Sequence, residues 1–119
     1  MNFTKTESSQ STWYQGEVET TYAKLVEIFG KEHSDGDGYK IQARWELEFE
    51  DGTIATIYDW KEGDSYNGQG KGISKEQITN WHIGGTSPKS VNHIFDALNQ
   101  CITLELAEVT EIKLLENNS

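Results

Sequence analysis

Two groups of side chains in this sequence are of the types and spacing that recognition chemistry uses. The first is acidic. Glu46, Glu48 and Glu50 recur at every second residue and Asp51 follows directly. On a strand, same-face residues recur about every 6.8 Å, close to two steps of the ~3.4 Å phosphate rise along one DNA strand. Carboxylates so spaced imitate a phosphate track and suit a basic, nucleic-acid-binding protein surface. A solvated face that deters edge-to-edge pairing explains the same residues, although their mutual repulsion, with only Arg44 close by, is a cost. The second group is aromatic and glycine-rich: Trp60, Tyr66, Gly68, Gly70, Lys71, Trp81, His82, Gly84 and Gly85. Glycines let a ligand approach backbone amides and aromatics stack on a planar group. Gly84-Gly85 also lies just before a helix N-terminus, where amide N–H groups favour an anion. A small anionic nucleotide fits that description. The order is neither GxxxxGK followed by Ser or Thr nor a strand-linked GxGxxG, and Trp60 and Trp81 serve equally well as core.

Catalytic and metal chemistry find less support. His33, His82 and His93 show no HxxxH spacing, and Cys101 is the single cysteine, so neither a structural zinc site nor an internal disulfide is available. Glu32, His33, Asp35 and Asp37 gather oxygen and imidazole ligands in one loop, but Tyr39 breaks the order of an EF-hand. Glu46 and Asp59 are placed on one sheet face without implying a substrate. The expectation is a protein that is not an enzyme and has no metal and no cofactor.

The element that must position both groups is the hairpin from Arg44 to Trp60. Asp51-Gly52 reads as the two-residue loop of a type I′ turn. Counting outward, Glu50 faces Thr53, Phe49 faces Ile54, Leu47 faces Thr56, Trp45 faces Tyr58 and Ala43 faces Trp60. That register puts the aromatics on one face and the three glutamates on the other, with Ala55, Ile57 and an Arg44–Asp59 pair. In TTYAKLVEIFG the side chains of Tyr22, Leu25, Val26 and Phe29 share a helical face, with a Thr cap before them and Gly30 after. Ser87 and Pro88 open a second helix over 88–99, with Val91, Ile94, Phe95 and Leu98 as its stripe. Thr12–Val18 reads as an edge strand with a bulge at Gly16, and ITNWHIGG as a further strand. Residues 63–72 read as a loop, 1–11 as a flexible lead-in, and 101–119 as a tail of helix or strand within a single domain of 12–119. The fold class expected is α+β: an antiparallel sheet centred on the hairpin, packed against two helices.

A formal net charge of −10 disfavours direct binding to nucleic acid or an anionic membrane, because such binding rests on Lys and Arg. No apolar run approaches the roughly 18 residues of a membrane span, and the start lacks a hydrophobic leader, so a cytoplasmic protein is expected. The run from Thr21 to Gly85, with TTYAKLVEIFG, DGDGYK, FEDGTIATIYDWK and WHIGG, resembles a family of small uncharacterised proteins encoded largely by bacteriophages. The resemblance covers a little over half the chain and brings no activity to any residue. It implies a context in the host cytoplasm, where small acidic phage proteins bind and disable a host factor such as restriction or CRISPR machinery. Three functions are therefore expected in turn. One is an inhibitor that presents Glu46, Glu48, Glu50 and Asp51 to a basic host defence protein. Another is a sponge holding a nucleotide signal of host immunity at Trp60, Tyr66, Lys71, Trp81, His82, Gly84 and Gly85, in a homo-oligomer if the pocket forms between chains. The third is a structural component of a virion.

Overall fold

The computed structural model describes residues 2–6, 12–32 and 39–99. His33, Asp35, Asp37, Cys101 and the tail 101–119 lie outside the described residues. The chain is an α+β fold. Its strands are β1 (Phe3–Lys5), β2 (Trp13–Glu19), β3 (Arg44–Phe49), β4 (Ile54–Tyr58) and β5 (Asn80–Gly85), and its first two helices are α1 (Tyr22–Phe29) and α2 (Asp64–Asn67). A further helix, α3, covers residues 89–99, and a 3-10 turn spans Lys75–Gln77. The five strands form one antiparallel sheet in the order β1-β3-β4-β5-β2.

Both long helices follow from local chemistry. Thr21 Oγ1 accepts from the Lys24 N–H at 3.1 Å and caps α1, whose last turn closes with the Gly30 N–H donating to Val26 O at 2.9 Å. Ser87 Oγ accepts from the Lys89 N–H at 3.3 Å and opens α3. Leu25 and Phe29 of α1 and Ile94 and Leu98 of α3 are buried against Trp45, Leu47, Phe49, Ala55, Ile57, Trp81 and Ile83 of the sheet. The α3 stripe is rotated from the expected one: Ser90 and Ile94 are fully buried while Phe95 is exposed.

The hairpin register differs from expectation by one residue. Trp45 pairs with Ile57, Glu46 with Thr56 and Leu47 with Ala55. The Phe49 N–H donates to Thr53 O and the Gly52 N–H to Phe49 O, each at 2.9 Å, so the loop is Glu50-Asp51-Gly52 with Gly52 at φ 85°. Three residues ending in a left-handed glycine make the bulged hairpin loop rather than the two-residue type I′ turn. A one-residue slip exchanges every side chain of a strand between faces. Ala55, Ile57 and Asp59 therefore turn into the core, and Thr56, Tyr58 and Trp60 turn to the opposite side.

Asp59 is fully buried and does not pair with Arg44. Its carboxylate accepts from the Gln42 N–H at 2.7 Å, the Ala43 N–H at 3.0 Å and Gln42 Nε2 at 3.0 Å. Those bonds satisfy a charge that burial would otherwise make costly. Phe3–Lys5, expected within a flexible lead-in, is an edge strand paired with Leu47–Phe49. The edge strand β2 carries its register shift between Tyr14 and Gly16, as the glycine suggested. No helix among the described residues is long and apolar enough to cross a membrane.

Candidate functional site

α1 and α3 pack on the sheet face that carries Trp45, Leu47, Ile57, Trp81 and Ile83. The opposite face carries Glu17, Arg44, Glu46, Tyr58 and His82, all part-exposed or exposed. Both expected groups of functional residues bear on this open face, and the structure treats them differently.

The acidic residues stay out of the core, because the register slip displaced β4 and left the alternation of β3 intact. They are not an even row. Glu46 lies between β1-bound and β4-bound residues with its side chain 13% exposed and its Oε1 3.2 Å from Arg44 Nε. Glu48 and Glu50 are exposed. Asp51 is engaged within the molecule: its Oδ1 accepts from the Thr53 N–H at 3.0 Å, and its Oδ2 lies 2.8 Å from His93 Nε2 on α3. The Thr53 backbone N–H first, and the contact with His93 after it, hold this carboxyl well below the usual carboxylate range.

The aromatic and glycine group divides. Trp81 is fully buried and meets Trp45 edge to face at 5.5 Å, which removes it from any ligand surface. Gly84 and Gly85 end β5 and are paired there with both β4 and β2, so they belong to the sheet ladder rather than to an anion nest. Gly85 is close to Ser90 of α3: a Cβ there would fall 2.0 Å from Ser90 Oγ. Lys71 is exposed in the loop after α2, away from the sheet. Trp60, His82 and Gly84 do come together on the open face, where the Trp60 and His82 rings lie nearly parallel with centroids 6.3 Å apart.

What the sequence reading missed completes this arrangement. A groove of about 180 Å³ runs across β5 between β2 and β4, lined by Tyr58 and Trp60, by Gly84 and Thr56, by Thr12 and Trp13 at the start of β2, and by Arg44. Trp13 pairs with Gly85 and brings its backbone carbonyl toward Gly84. Trp13 is 60% exposed and Tyr14, edge-on to His82 at 5.3 Å, is 53% exposed. The signal was the pair Trp13-Tyr14 opening an edge strand, where large aromatics are seldom needed for packing. Cations stand around the Trp60 ring: Lys40 Nζ and Lys61 Nζ each lie 5.5 Å from its centroid. The nearby carboxylates are already engaged, Glu17 by His82 Nε2 at 3.2 Å and by the Tyr14 hydroxyl at 3.2 Å, and Glu46 by Arg44. Burial holds the Tyr58 hydroxyl above its ordinary range against the pull of Arg44, so it stays protonated and able to donate. A groove of this volume is smaller than the ~300 Å³ lower bound of drug-sized pockets, so it seats one ring system rather than a whole ligand.

Among the described residues no group of three His, Cys, Asp or Glu side chains is placed to hold a metal ion. Comparison with family models, curated proteins and solved structures finds no match to this chain.

Proposed function

We propose that the chain is a non-enzymatic binding module whose open sheet face receives a planar, anionic ligand of the nucleotide class. The observation that supports this reading is the groove beside Tyr58 and Trp60, with Arg44 in its lining, on a sheet face that neither α1 nor α3 covers. Stacking on aromatic side chains stabilises a bound base by roughly 1–3 kcal/mol, and the cations around Trp60 complement a phosphate. The net charge of −10 repels a long polyanion, so the ligand is small. In the phage setting that the sequence resembles, such a module would act as a sponge that withdraws a nucleotide signal from host defence. The test follows intrinsic tryptophan fluorescence and the thermal transition while nucleoside monophosphates are titrated. Quenching and a rise in the transition are expected for the native chain, and neither for Trp60→Ala. No response to any purine or pyrimidine nucleotide would overturn the proposal.

A second reading retains a protein partner. Glu48 and Glu50 are exposed side by side at the hairpin end, which favours an acidic contact with a basic host defence protein and inhibition by occlusion. Changing Glu46, Glu48 and Glu50 together to lysine should then abolish inhibition with little change in thermal stability. Inhibition that survives the triple change removes this reading.

A further inference from the structure

The groove does not end the aromatic surface. Beyond Trp60 the chain turns at Lys61 into α2, and the Tyr66 ring on α2 meets the Tyr39 ring with centroids 5.3 Å apart. Tyr39 is 51% exposed and Tyr66 37%, so this pair is a second exposed aromatic station. Lys61 connects the two stations. Its Nζ lies 5.5 Å from the Trp60 centroid and 5.3 Å from the Tyr66 centroid, so one ammonium serves both rings. None of the ion pairs among the described residues involves Lys61.

Two further features indicate that this placement is built. Lys61 has φ 61°, a left-handed conformation that no other described non-glycine residue adopts. That conformation costs a side-chain-bearing residue about 1 kcal/mol and persists only where the surroundings impose it. Here they do: the Lys61 N–H donates to Lys40 O at 2.7 Å and its carbonyl accepts from Asn67 Nδ2 at 2.9 Å. One loop carboxylate nearby is engaged elsewhere: Asp64 accepts from the Gly70 N–H at 3.0 Å and the Gly72 N–H at 2.8 Å. Two planar stations with a cation between them match two bases joined through a phosphate.

We infer that the ligand class is a phosphodiester-linked dinucleotide, with one base in the groove beside Tyr58 and Trp60, the other on Tyr39 and Tyr66, and the linking phosphate at Lys61. This rests on the nucleotide reading above and specifies it. The bases are splayed onto separate platforms, as single-stranded ligands commonly are on aromatic surfaces.

Calorimetric titration with a nucleoside monophosphate, a linear dinucleotide and a cyclic dinucleotide tests it. Both dinucleotides, or the one whose geometry spans the stations, should bind roughly tenfold tighter than the monophosphate, as one added stacked base warrants. Lys61→Gly relieves the left-handed backbone while deleting the ammonium, so it should fold at least as well as the native chain and lose that tenfold advantage. Tyr66→Ala should lose it too while leaving monophosphate affinity unchanged. Equal affinity for all three probes, or an equal loss for mono- and dinucleotide in Tyr66→Ala, overturns the inference and leaves the nucleotide reading intact. Failure of every nucleotide to bind overturns both.

Discussion

The four tryptophans divide by burial. Trp45 and Trp81 are fully buried on the covered face, whereas Trp60 is 37% exposed on the open one and Trp13, at the start of an edge strand, is 60% exposed. The buried pair behaves as core. Trp45 Nε1 donates to Gly30 O at 2.8 Å and Trp81 Nε1 to Ile78 O at 3.3 Å, so each indole N–H is satisfied inside the protein. Trp60 lines the groove, and its ring contacts are with Tyr58 and His82 on the same open face. Residue type alone therefore does not set the role. What separates stability from recognition is which face the alternation of each strand delivers to the helices.

The largest effect expected is the one that sets the two faces furthest apart. Trp81→Ala leaves a large cavity beneath α1 and should cost about 3–5 kcal/mol in denaturant unfolding. Trp60→Ala on the open face should cost only about 1 kcal/mol while removing the fluorescence response to nucleotide. Comparable destabilisation by the two changes would break the division.

A finer comparison uses neighbours in one strand. A Cβ on Gly85 would fall 2.0 Å from Ser90 Oγ, 2.4 Å from Ser90 Cβ and 2.8 Å from the Ile54 carbonyl oxygen, atoms fixed by α3 and by backbone. On Gly84 it would meet Thr56 Oγ1 at 2.4 Å, with Trp13 O and Tyr58 Cε1 farther off at 3.3 and 3.5 Å. Gly85→Ala should thus destabilise by about 1–3 kcal/mol. Gly84→Ala should cost less in unfolding yet weaken nucleotide binding, because the added methyl rises from the groove floor. The opposite ranking in both measurements would mean that the open face, not the covered one, carries the tighter packing.

How far the sequence reveals these faces depends on whether the deciding contact is local. α1 was legible because Thr21, the apolar spacing and Gly30 lie within one short segment. The hairpin was legible as a hairpin but not in register. Asp-Gly suits a two-residue loop and also the end of a three-residue bulged one, and only the fate of β4 distinguishes them. Turning Ile54, Thr56, Tyr58 and Trp60 inward looked the better apolar choice, since the alternative buries Asp59. The bonds that make that burial acceptable come from Gln42 and Ala43, well back in the chain. Trp81 and His82 alternate, and no local signal says which of them faces the helices. Phe3 sits in a polar stretch, and its strand exists through pairing with Phe49 across a long interval. The site is half-visible for the same reason: Trp60 and His82 stand among the candidate residues, whereas Tyr58 and Arg44 join them only through the sheet.

The smallest expected effect contrasts the two aspartates that brace loops at the sheet margins. Asp51 ties the hairpin loop to α3 through His93, and Asp64 ties the loop after α2 to Gly70 and Gly72. Both carboxyls titrate below the ordinary range, Asp51 chiefly through the Thr53 N–H and Asp64 through the Gly70 and Gly72 N–H groups. A folded pKa below the unfolded one contributes stability that is fully present above the unfolded value. It is lost as pH falls through the folded value. The melting-temperature gap between the native chain and Asp51→Asn, or Asp64→Asn, should therefore be constant from neutral pH down to the usual carboxylate range and close only below it. Ligand binding separates the two variants. Asp64→Asn loosens the tie between α2, which carries Tyr66, and the loop after it and should reduce the dinucleotide advantage, whereas Asp51→Asn acts at the other end of the sheet and should leave it unchanged. Equal effects on binding would mean that α2 takes no part in recognition, and the second station would have to be abandoned.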